Sequence, residues 1–134
     1  MPYAKREDEI AHGRRYRQRN KERIVAKRRE YNRRNRERIA VHDRERRQVL
    51  RAQMVEAYGG RCACCGETEL AFLTLDHIEG GGTKDRKGPG GTEGLYRRLK
   101  RAGWPNGYQV LCANCNMAKE APKGCPHRRR ADEA

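Results

Sequence analysis

The spacing of six cysteines constrains the fold of this 134-residue chain more than any other feature. Four of them form two C-x2-C motifs that are separated by 46 residues, Cys62-Ala-Cys-Cys65 and Cys112-Ala-Asn-Cys115. Two thiolates at this spacing can turn toward one cation, and two such pairs complete a tetrahedral zinc site with no open position. The alternative is a disulfide scaffold, but no export signal is recognisable, and four of the cysteines occur in two C-x2-C motifs, which we call knuckles. The sequence therefore predicts one structural zinc ion, bound by Cys62, Cys65, Cys112 and Cys115.

Two cysteines, Cys64 and Cys125, lie outside this set. Cys64 is close enough in sequence to compete with its neighbours for the metal, but we expect it to be free. Cys125-Pro-His127 suggests a second metal site, yet a chance arrangement near the end of the chain is the favoured interpretation. We therefore expect serine to be tolerated at either cysteine. The predicted zinc also compensates for the small core of a domain of roughly 75 residues with few aromatic side chains.

Positive charge dominates the composition. The chain has 32 Lys and Arg against 18 Asp and Glu, a formal net charge of +14, and residues 1–58 hold +10 of it. The expected partner of such a chain is a polyanion, and nucleic acid is the commonest one. No segment approaches the roughly 18 apolar residues of a membrane span, and the basic segment lacks a Trp, Phe and Leu face for binding lipid. These observations exclude an integral membrane protein and predict a nucleic-acid partner.

The N-terminal part of the chain has the composition of a long helix. Residues 14–58 contain neither Gly nor Pro, so the sequence predicts a helix that nothing interrupts across this range. Two acid-first pairs at i and i+4 support it, Glu30 with Arg34 and Asp43 with Arg47.

A segment of this helix repeats after 15 residues, because Tyr16–Ile24 recurs in similar form as Tyr31–Ile39. Its apolar residues form a stripe too thin to drive burial. One interpretation is a solvated charged helix or a largely disordered tail; the other is a helix that lies along a phosphate backbone, and the two are compatible. We expect residues 1–45 to form a basic helical DNA-binding arm, with Arg33 and Arg34 among its DNA contacts.

An apolar pattern begins near the end of this helix and marks the start of a folded domain. Leu50, Met54 and Tyr58 follow the spacing i, i+4 and i+8, with Val55 beside them, which predicts a face turned toward a core. The helix is expected to stop at the Gly59-Gly60 pair. The predicted domain spans residues 46–127, and residues 128–134 form a basic and polar tail.

Several elements with polar ends lie between the two knuckles. A buried strand over residues 70–76 is predicted to deliver Asp76 and His77 at its C-terminal end. Taken alone, this pair is weak, because His77 fits a surface or core histidine equally well. Residues 79–91 are predicted to form a flexible glycine-rich loop, which is not a P-loop because no Gly-Lys-Ser/Thr follows a strand.

A short helix is expected after this loop, with Thr92 as its N-cap and Leu95 and Leu99 on its apolar face. A second strand over residues 108–111 then leads into the second knuckle, and a last helix carries Asn116 and Lys119. The other face of the short helix is basic, with Arg97, Arg98, Lys100 and Arg101.

The order of these elements is knuckle, strand, Asp-His, loop, strand, Cys-x-x-Cys-Asn and helix with a lysine. Over residues 62–119 it resembles the HNH (ββα-metal) endonucleases with a structural four-cysteine zinc, in the Asn-terminated form of phage endonuclease VII. The resemblance implies an α+β fold of the ββα-metal type. It implies His77 as general base, Asp76 and Asn116 as ligands of a catalytic Mg²⁺ or Mn²⁺ ion, and Lys119 near the scissile phosphate.

One position departs from the family pattern. The middle Asn of the HNH motif is expected at position 107, where this chain has Gly107, with Asn106 next to it. The family uses this Asn to hold the loop that carries the catalytic His, so Asn106 is expected to substitute through a shift of one residue. The insert with the basic helix is longer than in minimal HNH modules, and we expect Arg97, Arg98, Lys100 and Arg101 to contact DNA.

These features predict a divalent-metal-dependent DNA endonuclease that nicks or cuts duplex DNA, of a phage or mobile-element type. It is expected to act as a monomer or homodimer, associated with DNA in the cytoplasm of a bacterial or phage-infected cell. The main alternative is a zinc-finger-like nucleic-acid-binding protein without catalysis, in which Asp76 and His77 merely pack. An RNA-binding or ribosome-associated basic protein explains the charge but not the Asp-His and Cys-Asn pairs.

Overall fold

The structure is a computed structural model that describes residues 6–128. It is an α+β protein, mostly helical, with one sheet of two strands among the described residues. The chain divides into two compact units between Arg44 and Glu45, beside the predicted boundary after residue 45. The predicted tail lies outside the described residues from position 129 onward. Within the described part of the chain, no helix has both the length and the apolar character that crossing a membrane requires.

The first unit is helical, but the predicted uninterrupted helix over residues 14–58 is wrong. Helix α1 covers Arg6–Arg19, α2 covers Lys21–Arg34, and α3 covers Arg36–Ala57. The breaks fall at Asn20 and Asn35, whose φ and ψ are −106° and 14°, and −107° and 17°. At each break the asparagine side-chain amide donates to the carbonyl four residues earlier, at 2.9 Å and 2.8 Å. The same carbonyls also accept the backbone N–H of Asn20 and Asn35, both at 3.0 Å, so each carbonyl has two donors where the helix is distorted.

The 15-residue sequence repeat is also a repeat of contacts. Arg23 donates to the hydroxyl of Tyr16, and Arg38 donates to the hydroxyl of Tyr31, both at 2.9 Å. Three apolar residues of the repeat, Tyr16, Ile24 and Tyr31, are exposed, as the thin stripe predicted, and Ile39 is half-buried. The repeat therefore encodes a recurring distorted turn and does not create a buried seam.

The second unit contains the sheet. Strand β1 covers Leu73–His77 and pairs antiparallel with β2, Tyr108–Cys112. The predicted strand began three residues earlier, but Leu70–Phe72 form a 3₁₀ turn because the Glu69 side chain accepts a hydrogen bond from the Ala71 N–H. The antiparallel register places Asp76 opposite Gln109 and His77 opposite Tyr108.

Three short helices complete this unit: α4 over Gly82–Arg86, α5 over Gly91–Arg101 and α6 over Ala113–Lys119. The glycine-rich segment predicted as a flexible loop thus contains one helical turn. Helix α5 begins before the predicted cap Thr92, with Gly90 in the left-handed region at the N-cap. The preceding loop packs closely on this helix, because a Cβ at Gly94 would lie 2.0 Å from the carbonyl oxygen of Pro89.

The core of the second unit is small and rich in sulfur. Leu50, Met54 and Val55 are buried on the C-terminal part of α3, which confirms the predicted apolar face. The main cluster of buried residues consists of Met54, Val55, Cys62, Leu73, Val110, Leu111, Cys112, Cys115 and Cys125. Because four of these nine residues are cysteines, the packing of the core depends on what the sulfur atoms bind.

Candidate metal centre and active site

Four cysteines of the two knuckles come together beside the sheet. Cys112 ends β2 and is the N-cap residue of α6, and Cys115 lies in the first turn of that helix. The sulfur atoms of Cys62, Cys65, Cys112 and Cys115 all lie within 4.8 Å of one another. The sulfur atoms of Cys65 and Cys112 are 3.8 Å apart, and zinc–sulfur bonds of about 2.3 Å give tetrahedral edges of about 3.8 Å. These residues can therefore hold a metal ion such as zinc.

The backbone shapes the first knuckle around its sulfur atoms. The Cys62 N–H donates to the carbonyl of Glu67 at 2.8 Å, and the Gly66 N–H donates to the carbonyl of Cys62 at 2.9 Å. Gly66 has a φ of 79°, which suits glycine. The Ala63 N–H donates to the carbonyl of Val110 at 2.8 Å and ties this knuckle to β2, where the second knuckle begins.

The knuckle geometry favours a thiolate at Cys62. Burial opposes ionisation of this thiol, but hydrogen bonds from the backbone N–H groups of Cys112, Cys65 and Cys64 outweigh it and lower the pKa to about 6. A thiolate is the form that binds metal. Cys115 behaves in the opposite way, because burial raises the pKa of its thiol and the sulfur of Cys112 adds to that effect. Metal binding at this site must therefore displace the Cys115 proton.

A second donor group was not expected from the sequence. The ligand atoms of Cys64, Cys115, Cys125 and His127 also lie within 4.8 Å of one another. The structure places Cys64 beside Cys125 and His127, a proximity that the sequence did not indicate, and all three cysteines of this group are free thiols. The two cysteine sulfur atoms are 3.5 Å apart although 61 positions separate them in the chain, and no local spacing rule links residues so distant.

Asp76 is buried at the end of β1, with 5 % of its surface exposed. Its Oδ2 accepts a hydrogen bond from Gln109 Nε2 at 2.7 Å, across the strand pair. Its Oδ1 accepts from Lys119 Nζ at 2.5 Å, and the same ammonium donates to the carbonyl of His77 at 3.1 Å. Lys119 thus joins the end of α6 to the end of β1.

His77 is paired with an acid that sequence reasoning missed. Its Nε2 lies 2.8 Å from Oδ2 of Asp85 in α4. Since a carboxylate only accepts, Nε2 carries the proton, and a neutral imidazole then keeps a lone pair on Nδ1. A Cβ at position 82 would lie 2.8 Å from Nδ1, so the Gly82 backbone approaches the imidazole closely and a larger residue would crowd that nitrogen. The sequence signal for Asp85 was only an acid within a glycine-rich segment.

Arg98, predicted as a DNA contact, holds the Asp85 segment. Its guanidinium donates to the carbonyl of Pro89 at 2.9 Å and to the carbonyl of Asp85 at 3.2 Å. The other predicted contacts on α5 are exposed; Arg97 pairs with Glu93, and Lys100 donates to Gln53 at 2.8 Å. In the first unit, Arg33 and Arg34 are exposed, and Arg34 forms the predicted pair with Glu30.

Asn116 follows Cys115 in α6 and faces β1. Its Nδ2 donates to the hydroxyl of Thr74 at 3.2 Å, and that hydroxyl donates to the carbonyl of Leu111 at 2.9 Å. This arrangement uses the amide nitrogen and leaves the amide oxygen as an acceptor. Asn106 is exposed in the turn before β2. The loop after His77 is instead held by the carbonyl of Gly107, which accepts from the Ile78 N–H at 3.1 Å.

Four of the five predicted catalytic residues line one cleft of about 570 Å³. They are Asp76, His77, Asn116 and Lys119, and Asn106 is not among the lining residues. The cleft wall also includes the turn over residues 80–83, together with Arg86 and Thr92. A general base candidate, oxygen donors and a cation therefore share one solvent-open space.

Comparison of the chain with protein-family models, with curated proteins and with solved structures found no match.

Proposed function

We propose that this protein is a divalent-metal-dependent DNA endonuclease of the HNH (ββα-metal) type, stapled by a structural zinc ion. The observation that carries the proposal is the shared cleft of Asp76, His77, Asn116 and Lys119, which come from a strand end and from a helix more than 35 residues later. Phosphodiester hydrolysis needs an activated water, a cation at the phosphate oxygens and a grip on the backbone. The cleft offers a candidate for each.

His77 is the proposed general base. Asp85 holds the proton on Nε2, which leaves Nδ1 to accept a proton from a water molecule in the cleft that His77 lines. A neutral imidazole performs this step at physiological pH. Asp85 also stabilises the imidazolium that results, as an acid behind a catalytic histidine does in other hydrolases. Arg98 supports the histidine indirectly, through the Asp85 backbone.

Asp76 and Asn116 are the proposed ligands of Mg²⁺ or Mn²⁺. Hard cations prefer oxygen donors, and a carboxylate and an amide oxygen reach the same cleft here. Asp76 Oδ1 is in contact with the Lys119 ammonium, so this oxygen already attracts positive charge, and a metal ion would have to replace that contact. When bound, the metal ion supplies positive charge to the phosphate oxygens. Lys119 would then exchange its contact with Asp76 for one with phosphate.

The proposed zinc ion is structural, because four thiolates leave no open position. Its role is to hold the two halves of the cleft together. Cys112 ends the strand that pairs with β1, and Cys115 is covalently joined to Asn116. A zinc ion on both cysteines therefore fixes where Asn116 and Lys119 lie relative to Asp76.

One observation favours the alternative of a nucleic-acid-binding protein without catalysis. Both oxygens of Asp76 already have hydrogen-bond donors, Gln109 on one and Lys119 on the other. A buried carboxylate with a purely structural role would have the same donors on its two oxygens, since buried charges are usually paired. This alternative predicts zinc, folding and DNA binding, but no cleavage.

The test is an incubation of zinc-loaded protein, freed of other divalent ions, with supercoiled plasmid. Addition of Mg²⁺ or Mn²⁺ should produce nicked or linear DNA, and omission of both ions should leave the plasmid intact. The same protein assayed on linear duplex and on four-way junctions reports the preferred substrate. Protein that contains zinc and binds DNA but leaves every substrate intact would support the non-catalytic alternative.

Asp85→Asn should slow plasmid cleavage by a factor of about 10² or more, because an amide no longer fixes the histidine tautomer or stabilises the imidazolium. DNA affinity should change little, since Asp85 acts through the imidazole of His77 and is not a proposed contact of the DNA duplex. Cleavage rates under single-turnover conditions measure the effect. Glu79→Gln removes one negative charge from an exposed position near His77 and is the matched control; equal slowing in both variants would refute the role of Asp85.

The basic arm is proposed to bind the phosphate backbone, with Arg33 and Arg34 among its contacts. Deletion of residues 1–44 should weaken DNA affinity, and each lost phosphate contact should lower the slope of log K against log salt by about 0.9. Fluorescence anisotropy at several salt concentrations measures both quantities. Unchanged zinc content controls for folding of the second unit. If the deletion variant bound DNA with the same affinity and the same salt slope as the full-length protein, the arm would not be a DNA-binding element.

A further inference from the structure

The two donor groups of the second unit share one residue. Cys115 belongs to the group with Cys62, Cys65 and Cys112, and it also belongs to the group with Cys64, Cys125 and His127. Together, the six cysteines and one histidine offer seven ligand atoms, whereas a structural zinc ion takes four. One ion therefore leaves three donors without metal, but two ions that share the Cys115 sulfur use all seven.

The distances in the second group match those of a metal site. Sulfur atoms of Cys64 and Cys125 are 3.5 Å apart, and Nδ1 of His127 lies 3.3 Å from the sulfur of Cys115 and 3.5 Å from that of Cys125. Tetrahedral zinc gives sulfur–sulfur edges of about 3.8 Å and sulfur–nitrogen edges of about 3.6 Å. The second group is thus as compact as the first.

The segment that carries Cys125 and His127 has little hydrophobic packing to hold it. Residues 120–128 contain no large apolar side chain, and among them only Cys125 joins the core cluster. Even so, this segment turns back onto the knuckles through Gly124, whose φ of 64° suits glycine. Hydrophobic burial alone does not explain this arrangement, since it scales with the apolar area removed from water.

We propose that this protein binds two zinc ions, with the Cys115 thiolate bridging them. One ion is held by Cys62, Cys65, Cys112 and Cys115, and the other by Cys64, Cys115, Cys125 and His127. The second ion anchors the segment after α6, so that this helix of seven residues is fixed at both ends. The inference includes the structural zinc of the proposed function but does not depend on catalysis.

Native mass spectrometry of the full-length, zinc-saturated protein tests the stoichiometry. The wild type should carry two zinc ions, and the double variant Cys64→Ser/Cys125→Ser should carry one and remain folded. His127→Ala should lose one ion to a competing chelator more readily than the wild type, whereas His42→Ala, an exposed histidine in α3, should behave as the wild type does. One ion in the saturated wild type, or two in the double variant, would overturn the proposal.

Cadmium substitution tests the bridge itself. Protein loaded with ¹¹³Cd should give two resonances that are scalar-coupled through a shared sulfur, and the double variant should give one uncoupled resonance. Two uncoupled resonances would overturn the bridging role of Cys115. A wild-type mass lower by two hydrogens, with one metal ion, would identify a Cys64–Cys125 disulfide and refute the second site. Absence of any zinc would instead contradict the staple of the proposed function as well.

Discussion

His77→Ala is expected to lower the DNA cleavage rate by a factor of about 10²–10⁴, the usual contribution of a general base. DNA affinity should stay close to that of the wild type, because the imidazole acts on a water molecule and contributes little to holding the duplex. The physical basis is the Asp85 contact at Nε2, which leaves Nδ1 as the only nitrogen able to accept a proton. Single-turnover cleavage of plasmid and anisotropy with labelled duplex measure the two effects.

The matched control for this variant is His42→Ala, which removes an exposed histidine from α3 and should cleave normally. Thermal unfolding of both variants separates catalysis from stability, because His77 also packs against the ring of Tyr108 at a centroid distance of 4.8 Å. Two outcomes would contradict a catalytic role for His77. One is undiminished cleavage by His77→Ala, and the other is a loss of cleavage no larger than the loss of folded protein.

Cys112→Ser is expected to unfold the second unit. Structural zinc binding supplies roughly 10–16 kcal/mol of apparent free energy, which is as large as the roughly 5–15 kcal/mol by which a whole folded domain is usually stable. Cys112 also occupies the N-cap of α6, where its sulfur accepts from the Cys115 N–H at 3.4 Å. Circular dichroism and zinc content, measured on the same sample, should show loss of both cooperative unfolding and metal.

Cys64→Ser provides the comparison, because Cys64 belongs only to the second donor group. This variant should keep the first zinc ion and unfold cooperatively, although at a lower temperature than the wild type. A stable, cooperatively unfolding Cys112→Ser protein would contradict the zinc staple. If Cys64→Ser lost cooperative unfolding and all zinc as Cys112→Ser does, the two donor groups would form one metal centre that cannot be divided.

The elements that could be predicted from the sequence depend on short spacings. The C-x2-C motifs brought four sulfur atoms together as predicted, and the i, i+4 pattern of Leu50 and Met54 identified a buried helix face. The predicted strand ended at residue 76 and the observed one ends at His77, so Asp76 and His77 lie at its C-terminal end as expected. The helix face and the strand end rest on neighbours within one turn or one strand, where geometry follows from local chain order. The two knuckles, 46 residues apart, could be paired because one zinc ion takes four ligands and each knuckle offers two.

The helix breaks show where local rules were insufficient. Absence of Gly and Pro predicted a continuous helix, but Asn20 and Asn35 distort it through their own side-chain hydrogen bonds. Helix propensity ranks asparagine only slightly below most residues, so a propensity argument does not locate such a break. The 15-residue repeat was visible in the sequence, and its meaning became clear only with the recurring contacts.

The sequence by itself determined which four sulfur atoms of the knuckles come together, the basic character of the arm and the position of Asp76 and His77 at a strand end. Only the tertiary structure decided what these groups touch: Asp85 behind His77, Gln109 and Lys119 on Asp76, and Cys125 and His127 beside Cys64. The physical reason is distance along the chain. A strand, a helix turn or a knuckle is shaped by residues a few positions apart, whereas these contacts form when packing joins segments separated by loops.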